Sequence, residues 1–370
     1  INYDPYRVKK KKYLTPIPVY TLDASQTPYQ FVEGFQGPEK PNLEQSFEES
    51  VSMTYQGMIN YSRTFGKHTV TGLGVIEARE RNVWNMSAKR LNYNINIDEI
   101  NAGSSDPADI SNGGTSWKER QVGYAFRLGY NYDNRYMAEV SGRYDGHYYF
   151  APGKRFGFFP SGSIGYVISE EAFMKKQKVV DYLKLRASIG LVGNDNISDN
   201  RFLYLSNSWL VDQLPSEKDY WNAYKNGYNF GFNNGNMIKG AIESRIGNPN
   251  VSWETALKQN YGIDVNFLNN RLKVSADIFF EDRKDILIKR QTIPITTNLT
   301  SDNLPVVNMG RVKNHGYEID LKWEDVIKGK LHYYINANVS YNRNKIIFQD
   351  EVEPNEPYQW RTGQPVGTIF

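Results

Sequence analysis

The sequence of 370 residues contains no cysteine and no long apolar run. Because cysteine is absent, this chain forms no disulfide, no cysteine–zinc site and no thiol-based active site. No stretch approaches the ~18 consecutive apolar residues that a membrane-spanning helix requires. The net charge of +3, from 44 basic and 41 acidic residues, is too balanced to favour a nucleic-acid partner.

Histidine is scarce, and the four present are His68, His147, His315 and His332. Hydrolytic catalysis needs a histidine beside a positioned nucleophile or carboxylate, and the sequence indicates no such group. The chain also lacks a glycine-rich phosphate loop followed by Lys and Ser or Thr. We therefore predict that this chain is not an enzyme and holds no cofactor.

Oxygen-bearing side chains alternate over residues 194–200, and Asp195 and Asp199 are weak candidate ligands for calcium. The segment lacks the glycine and the closing bidentate glutamate of an EF-hand loop. A polar loop is the simpler interpretation, so we predict no metal site.

The sequence does contain a repeated alternation of large apolar residues with small or polar ones. Between residues 122 and 130 every second side chain is apolar and large. A strand with this pattern has one apolar face and one polar face. Aromatic residues make up 14% of the chain, and the 27 tyrosines suit the interface between lipid and water or sugar-binding loops. A tyrosine-rich soluble sandwich is the alternative interpretation.

The alternation predicts ten strands in five hairpins, joined by connections that are alternately short and long. Tight turns are predicted near residues 65–67 and at Asp133-Asn134, whose short polar side chains tolerate positive φ. Residues 1–48, with six prolines and the run Lys9 to Lys12, are predicted to be an irregular lead-in. In outer-membrane barrels short turns face the periplasm and long loops face outward. The predicted long loops lie at about 81–117, 146–157, 194–255, 286–306 and 344–370. The predicted strands lie near 51–62, 69–80, 118–131, 135–145, 158–169, 183–191, 261–267, 272–280, 317–323 and 331–341.

These patterns predict an all-β fold, an antiparallel transmembrane β-barrel. Acidic residues on the polar side of the strands would be costly in lipid but are tolerated in a water-filled lumen. An open sheet leaves its edge N–H and C=O groups unpaired, which lipid does not tolerate. Either further strands exist or these ten close on themselves, and the large predicted loops favour a segment of a larger barrel. The acidic residues assigned to the lumen are Asp264, Asp277, Glu318 and Asp320.

Several motifs resemble those of the SusC/RagA family of TonB-dependent outer-membrane transporters, in order from about residue 120 to the end. The resemblance implies a barrel of about 22 strands in the bacterial outer membrane, with a plug domain and a TonB-contacting N-terminal part that are not in this chain. It also implies a SusD-like surface lipoprotein as partner. The motifs lie at 143–146, 150–153, 157–161, 183–188, 193–196, 250–254, 260–264, 308–310, 314–318 and 363–367.

The resemblance implies TonB-dependent uptake of glycans or oligosaccharides, with oligopeptides as the competing cargo. A passive porin is the next alternative, followed by an outer-membrane enzyme that uses His147 or His315. Aromatic side chains in the predicted outer loops are candidate ligand-binding residues, because their faces stack on sugars and peptide side chains. Packing within the loops explains each of them equally well. These candidates are Trp84, Trp209, Tyr220, Trp221 and Tyr224.

Overall fold

A computed structural model describes residues 1–23, 25–197, 201–206, 246–293, 304–327 and 329–369, with the backbone of four short strands between 210 and 242. None of the helices in this part of the chain is long and apolar enough to cross a bilayer. The described strands are β1 (Asn2–Leu14), β2 (Ile17–Asp23), β3 (Gln30–Gln36), β4 (Asn42–Phe65), β5 (His68–Leu91), β6 (Ile110–Tyr132), β7 (Tyr136–His147), β8 (Phe156–Val167), β9 (Val180–Asn194), β10 (Leu210–Val211), β11 (Gly227–Asn229), β12 (Met237–Lys239), β13 (Ala241–Ile242), β14 (Glu254–Phe267), β15 (Leu272–Lys289), β16 (Val306–Ile327) and β17 (Leu331–Phe348).

The main sheet has eleven strands in the order β1-β4-β5-β6-β7-β8-β9-β14-β15-β16-β17. It contains all ten predicted strands, and β1 is the eleventh. The strand pairs whose register is known are antiparallel, as the sequence predicted. Three two-stranded ribbons, β2–β3, β10–β13 and β11–β12, complete the described strands.

The short turns of the main sheet have the backbone conformation that tight hairpins require. Asp133 and Asn134 join β6 to β7 with φ angles of 53° and 55°. A two-residue turn with both φ angles positive matches the right-handed twist of the flanking strands, and short polar residues tolerate it. Gly66, between β4 and β5, has φ of 60°. The sequence-predicted turns at these two places are confirmed.

Apolar side chains, most of them large, form continuous rows across neighbouring strands on one side of the sheet, the apolar face. Their exposure is high: Ile164 is 65% exposed and Leu185 is 42% exposed. An exposed apolar surface of this extent marks contact with a membrane or with another protein, and in an outer-membrane barrel it faces lipid. One row contains Ala138, Ile164, Ala187, Tyr261, Ile278, Tyr317 and Tyr341, and the next contains Tyr136, Tyr166, Leu185, Ile263, Ala276, Ile319 and Val339.

The residues between these rows lie on the opposite side, the polar face. The strand register puts Asp277 opposite Glu318, and Ser275 between Asp264 and Asp320. All four carboxylates that the sequence assigned to a water-filled lumen therefore share one face. Because one face carries the apolar rows and the other the charges, the alternation read from the sequence is confirmed in the paired strands.

The chain divides into two compact units. The first contains residues 1–56 and 77–121, and the second contains residues 57–76 and 122–370. In the first unit, β1 pairs with β4 from Asn42 to Thr54. Leu43, Val83 and Tyr93 are its buried apolar residues.

Three predicted loop regions contain strands or long strand extensions, and one of them, 194–255, contains the four short strands β10 to β13. Residues 1–48 include β1, the β2–β3 ribbon and the start of β4, and the run Lys9 to Lys12 lies within β1. Pro5 favoured a loop in the prediction. However, β1 is the first strand in the order of the main sheet, and proline is tolerated in a strand at a sheet edge. Within 81–117, β5 continues to Leu91 and β6 begins at Ile110. These strand ends carry polar and apolar residues on both sides, so they show no regular alternation.

Candidate functional site

The polar face of the second unit carries a charge network centred on Arg186 of β9. Its guanidinium donates to Asp277 Oδ1 at 2.7 Å, to Asp264 Oδ2 at 3.2 Å and to Ser275 Oγ at 3.2 Å. Ser275 Oγ in turn donates to Asp264 Oδ1 at 2.7 Å. We call these four residues the Arg186 network. It ties three neighbouring strands together with charge-assisted hydrogen bonds.

Replacing Arg186 with Met is expected to cost about 2 kcal/mol of unfolding free energy, because two half-buried carboxylates lose their cation. Arg127→Met is the matched control, since Arg127 Nε lies 3.9 Å from Glu139 and both side chains are about half exposed. The control is expected to cost about 0.5 kcal/mol or less. Urea unfolding of the two variants in lipid vesicles measures the difference, and equal costs would contradict the assigned role of the network.

Small side chains leave a concavity of roughly 580 Å³ in the polar face next to this network. Ser141 and Ser161 pair across β7 and β8, and their hydroxyl oxygens are 2.6 Å apart. Ser163 pairs with Ser188, and Ser161 pairs with Gly190. We call these five residues the serine recess. A Cβ atom on Gly190 would lie 2.8 Å from Ser161 Cβ, so glycine is needed for this close approach of strands.

Larger polar groups border the serine recess. Asn260 pairs with Ser188, and Lys258 pairs with Gly190. Glu281 is 3.8 Å from Lys258 Nζ, and Phe279 lies opposite Asn260. A second concavity of roughly 450 Å³ shares Ser163 and Ser188 and extends to Arg186. Hydrogen-bonding groups therefore line a continuous stretch of the polar face.

A small hydrophobic core, the outer aromatic cluster, stabilises the connections at the long-loop end of β7, β8, β9 and β14. Trp253 is 8% exposed, its ring centroid lies 5.2 Å from that of Phe159, and its Nε1–H donates to the Arg155 carbonyl at 3.1 Å. Gly193 leaves room for the Phe159 ring, since a Cβ there would lie 2.0 Å from it. The cluster consists of Tyr149, Phe150, Phe159, Ile197, Leu203, Val251 and Trp253.

His147 and Asp195 lie beside this cluster. His147 is 3% exposed, and its Nδ1 is 3.4 Å from Asp195 Oδ2. Asp199, the other candidate calcium ligand, lies outside the described residues. Within the described part of the chain, no group of three or more His, Asp or Glu residues is placed to hold a metal ion.

A buried carboxylate connects the β15–β16 loop to the segment after β17. Asp350 is 7% exposed and accepts hydrogen bonds from the Gln291 N–H at 2.8 Å and from Thr292 Oγ1 at 2.6 Å. Burial opposes ionisation of Asp350, but the hydrogen bonds from Thr292 and the two backbone N–H groups outweigh it, so the pKa of Asp350 is lowered. The carboxylate form is therefore the one that holds the loop.

Because the pKa of Asp350 is lowered, the direction in which pH changes the stability of this loop can be predicted. A carboxyl group whose pKa is lower in the folded state stabilises the fold above its unfolded pKa of about 4, and the effect is lost as the pH falls through the folded pKa. We expect residues 290–293 to lose protection from hydrogen exchange below about pH 4. Asp350→Asn should weaken this protection at pH 7, and Glu353→Gln, in the same segment, is the control. Unchanged protection in Asp350→Asn would refute this account.

The structure places only one of the five predicted ligand-binding aromatics. Trp84 lies in β5, not in a loop, and is 39% exposed. Its Nε1–H donates to Glu49 Oε2 at 2.7 Å, and its ring lies 5.0 Å from the Phe47 ring. Its position in a loop was therefore wrongly predicted, because β5 extends beyond its apolar part. The other four, Trp209, Tyr220, Trp221 and Tyr224, lie outside the described residues.

The Arg186 network and the serine recess were not predicted as sites. The sequence does contain a signal for the recess: the polar side of β8 and β9 carries Ser161, Ser163, Ser188 and Gly190, all of them small. Small residues on the polar side of two paired strands indicate space in the wall. No comparable local signal pairs Arg186 with carboxylates that lie far away in the sequence.

Comparison with known proteins identifies the class. The sequence model of the family described as "TonB dependent receptor-like, beta-barrel" matches residues 14–369. The chain belongs to this family, whose members are outer-membrane proteins. Its apolar face therefore meets lipid, and its polar face borders the lumen.

Among named relatives, TonB-dependent receptor P39 of Formosa agariphila is 29% identical over 321 residues, covering 85% of this chain and 28% of that protein. TonB-dependent receptor SusC of Bacteroides thetaiotaomicron is 31% identical over 225 residues, covering 61% of this chain and 20% of that protein. The chain thus spans less than a third of the length of these relatives. The resemblance to the SusC/RagA family is confirmed.

The fold also matches a solved structure titled as the RagAB peptide transporter, with a TM-score of 0.76. That match covers 98% of this chain and 36% of the solved chain at 19% sequence identity. At this identity the likeness establishes the fold alone. A second RagAB structure, titled as a peptide importer in the "closed-closed" state, gives a TM-score of 0.73.

Proposed function

We propose that this chain forms part of the wall of a TonB-energised importer that takes up glycans or oligosaccharides. The observation that carries the proposal is the sorting of side chains: one face of the sheet has exposed apolar rows, and the other has charges and hydroxyls. Such a sheet separates lipid from a water-filled passage. The work of this chain is then non-covalent: it holds the passage open and contacts cargo.

The chemistry of the polar face supports a hydroxyl-rich cargo. Serine hydroxyls, the Asn260 amide and the Glu281 carboxylate line the concavity described above. These groups donate to and accept from sugar hydroxyls. Oligopeptides are the second candidate, because the solved RagAB structure that shares this fold is titled a peptide transporter.

The remaining parts of the transport system would lie outside this chain. By family resemblance, a plug domain would close the barrel, a TonB complex would act on an N-terminal segment, and a SusD-like lipoprotein would cover the outer loops. Energised opening distinguishes this system from a passive porin, which conducts without TonB.

The proposal is tested by deleting the gene of the full-length protein in its host and measuring growth on single oligosaccharides and on single peptides. We expect selective loss of growth on one glycan class, restored by the intact gene and not restored in a strain lacking TonB. Loss confined to peptides would transfer the assignment to peptide import. Rescue without TonB would support a porin instead.

A further inference from the structure

We propose that the serine recess is a subsite for saccharide cargo within the passage, distinct from any binding site formed by the outer loops. The inference rests on the proposed function and locates one cargo contact on the wall. The first observation that supports it is the volume of the concavity. The concavity of roughly 580 Å³ lies within the range of small-molecule sites, about 300–1,000 Å³.

The second basis is the chemistry of the lining. The recess presents hydroxyl groups, and Asn260, Lys258 and Glu281 border it. Lys258 Nζ lies 3.8 Å from Glu281, and the carboxylates of Glu139 and Glu318 also line the concavity, so the site repels anions and suits an uncharged, hydrogen-bonding ligand. The ring of Phe279 lies against β16, where a Cβ on Gly316 would be 2.5 Å from it. Phe279 and Glu281 both line the concavity, and an aromatic ring together with carboxylate oxygens suits the mixed apolar and polar surface of a sugar.

The third basis is position along the strands. In β8, Ser161 and Ser163 follow Phe159 of the outer aromatic cluster. In β9, Ser188 follows Arg186 of the Arg186 network by two residues, on the same face. The recess therefore lies between the packed long-loop end and a charged part of the wall. The second concavity shares Ser163 and Ser188 and leads on to Arg186, which gives a hydroxyl-rich ligand a continuous series of partners.

Ser188→Cys in the full-length protein tests the subsite. Ser188 is exposed on the polar face, and these 370 residues contain no cysteine, so a thiol there is specific once any cysteine elsewhere is replaced. The rate of modification by a small, charged methanethiosulfonate is measured with maltoheptaose, laminarihexaose or penta-alanine. At twice the dissociation constant, a bound oligosaccharide should slow modification about threefold.

Asn338→Cys is the matched control, since Asn338 is exposed on the polar face of β17, away from the recess. Its modification rate should not change. Protection by penta-alanine alone would overturn the saccharide assignment, and so would equal protection at both positions. If the thiol at position 188 is modified slowly and none of the three probes changes that rate, the recess is covered by another part of the protein, and the subsite proposal is refuted. TonB-dependent uptake of the same oligosaccharides, measured in parallel, distinguishes failure of the subsite from failure of the proposed function.

Discussion

Replacing Trp253 with Ala is expected to cost about 3–5 kcal/mol, the usual cost of removing a large buried aromatic side chain. Trp253 contacts Phe150 and Phe159, with ring centroids 5.5 and 5.2 Å away, and donates to the Arg155 carbonyl. The loss should appear locally, because the outer aromatic cluster packs the connections against one end of the sheet, at Phe159 of β8. Hydrogen exchange in residues 146–157 and 201–206 should accelerate by two orders of magnitude or more, roughly tenfold for each 1.4 kcal/mol.

Trp253→Phe is the control for Trp253→Ala. It retains most of the ring contacts and removes the hydrogen bond to Arg155, so we expect a cost of about 1–2 kcal/mol. Exchange in β14 and β15 should stay unchanged in both variants. Uniform acceleration throughout the sheet would show that the cluster supports the whole barrel wall and would contradict a local role.

Leu185→Arg is expected to destabilise the protein by about 2–4 kcal/mol, the cost of a cation on the lipid side of a barrel near the bilayer midplane. Leu185 lies in an apolar row between Tyr166 and Ile263 and is 42% exposed. Its exposed surface therefore meets hydrocarbon. Equilibrium unfolding of the full-length protein in phospholipid vesicles, followed by tryptophan fluorescence, measures this cost.

The matched variant for Leu185→Arg is one residue away on the other face. Lys184 borders the concavity that reaches Arg186, so its side chain meets water. Lys184→Leu removes a charge without placing one in lipid, and its expected cost is below about 1 kcal/mol. Similar costs for the two variants would refute the assignment of faces.

Features encoded within one strand were predictable from the sequence. The recurrence of apolar residues at every second position identified ten strands, and the Asp133–Asn134 turn identified the β6–β7 hairpin. Prediction failed where the alternation stops but the strand continues, as in β5 past residue 80, where apolar and polar residues occur on both sides. It also failed for β1, where Pro5 and the lysine run suggested a loop.

Contacts between distant segments could not be predicted. Trp253 and Arg155 are 98 positions apart, and Arg186 and Asp277 are 91 apart. Only the register of β9, β14 and β15 brings the latter two together. The aromatic candidates in the long loops were chosen by residue type alone. Trp84 shows the weakness of that choice, since its indole N–H already donates to Glu49 within its own unit.

In the main sheet, each strand pairs with the strand that comes before or after it along the chain, apart from short inserted ribbons. Adding or removing a whole hairpin would leave every other pairing intact. Gene duplication or loss of one hairpin could therefore widen or narrow such a pore without redesigning the remaining wall. Evolution can thus change the pore diameter of these proteins in steps of two strands.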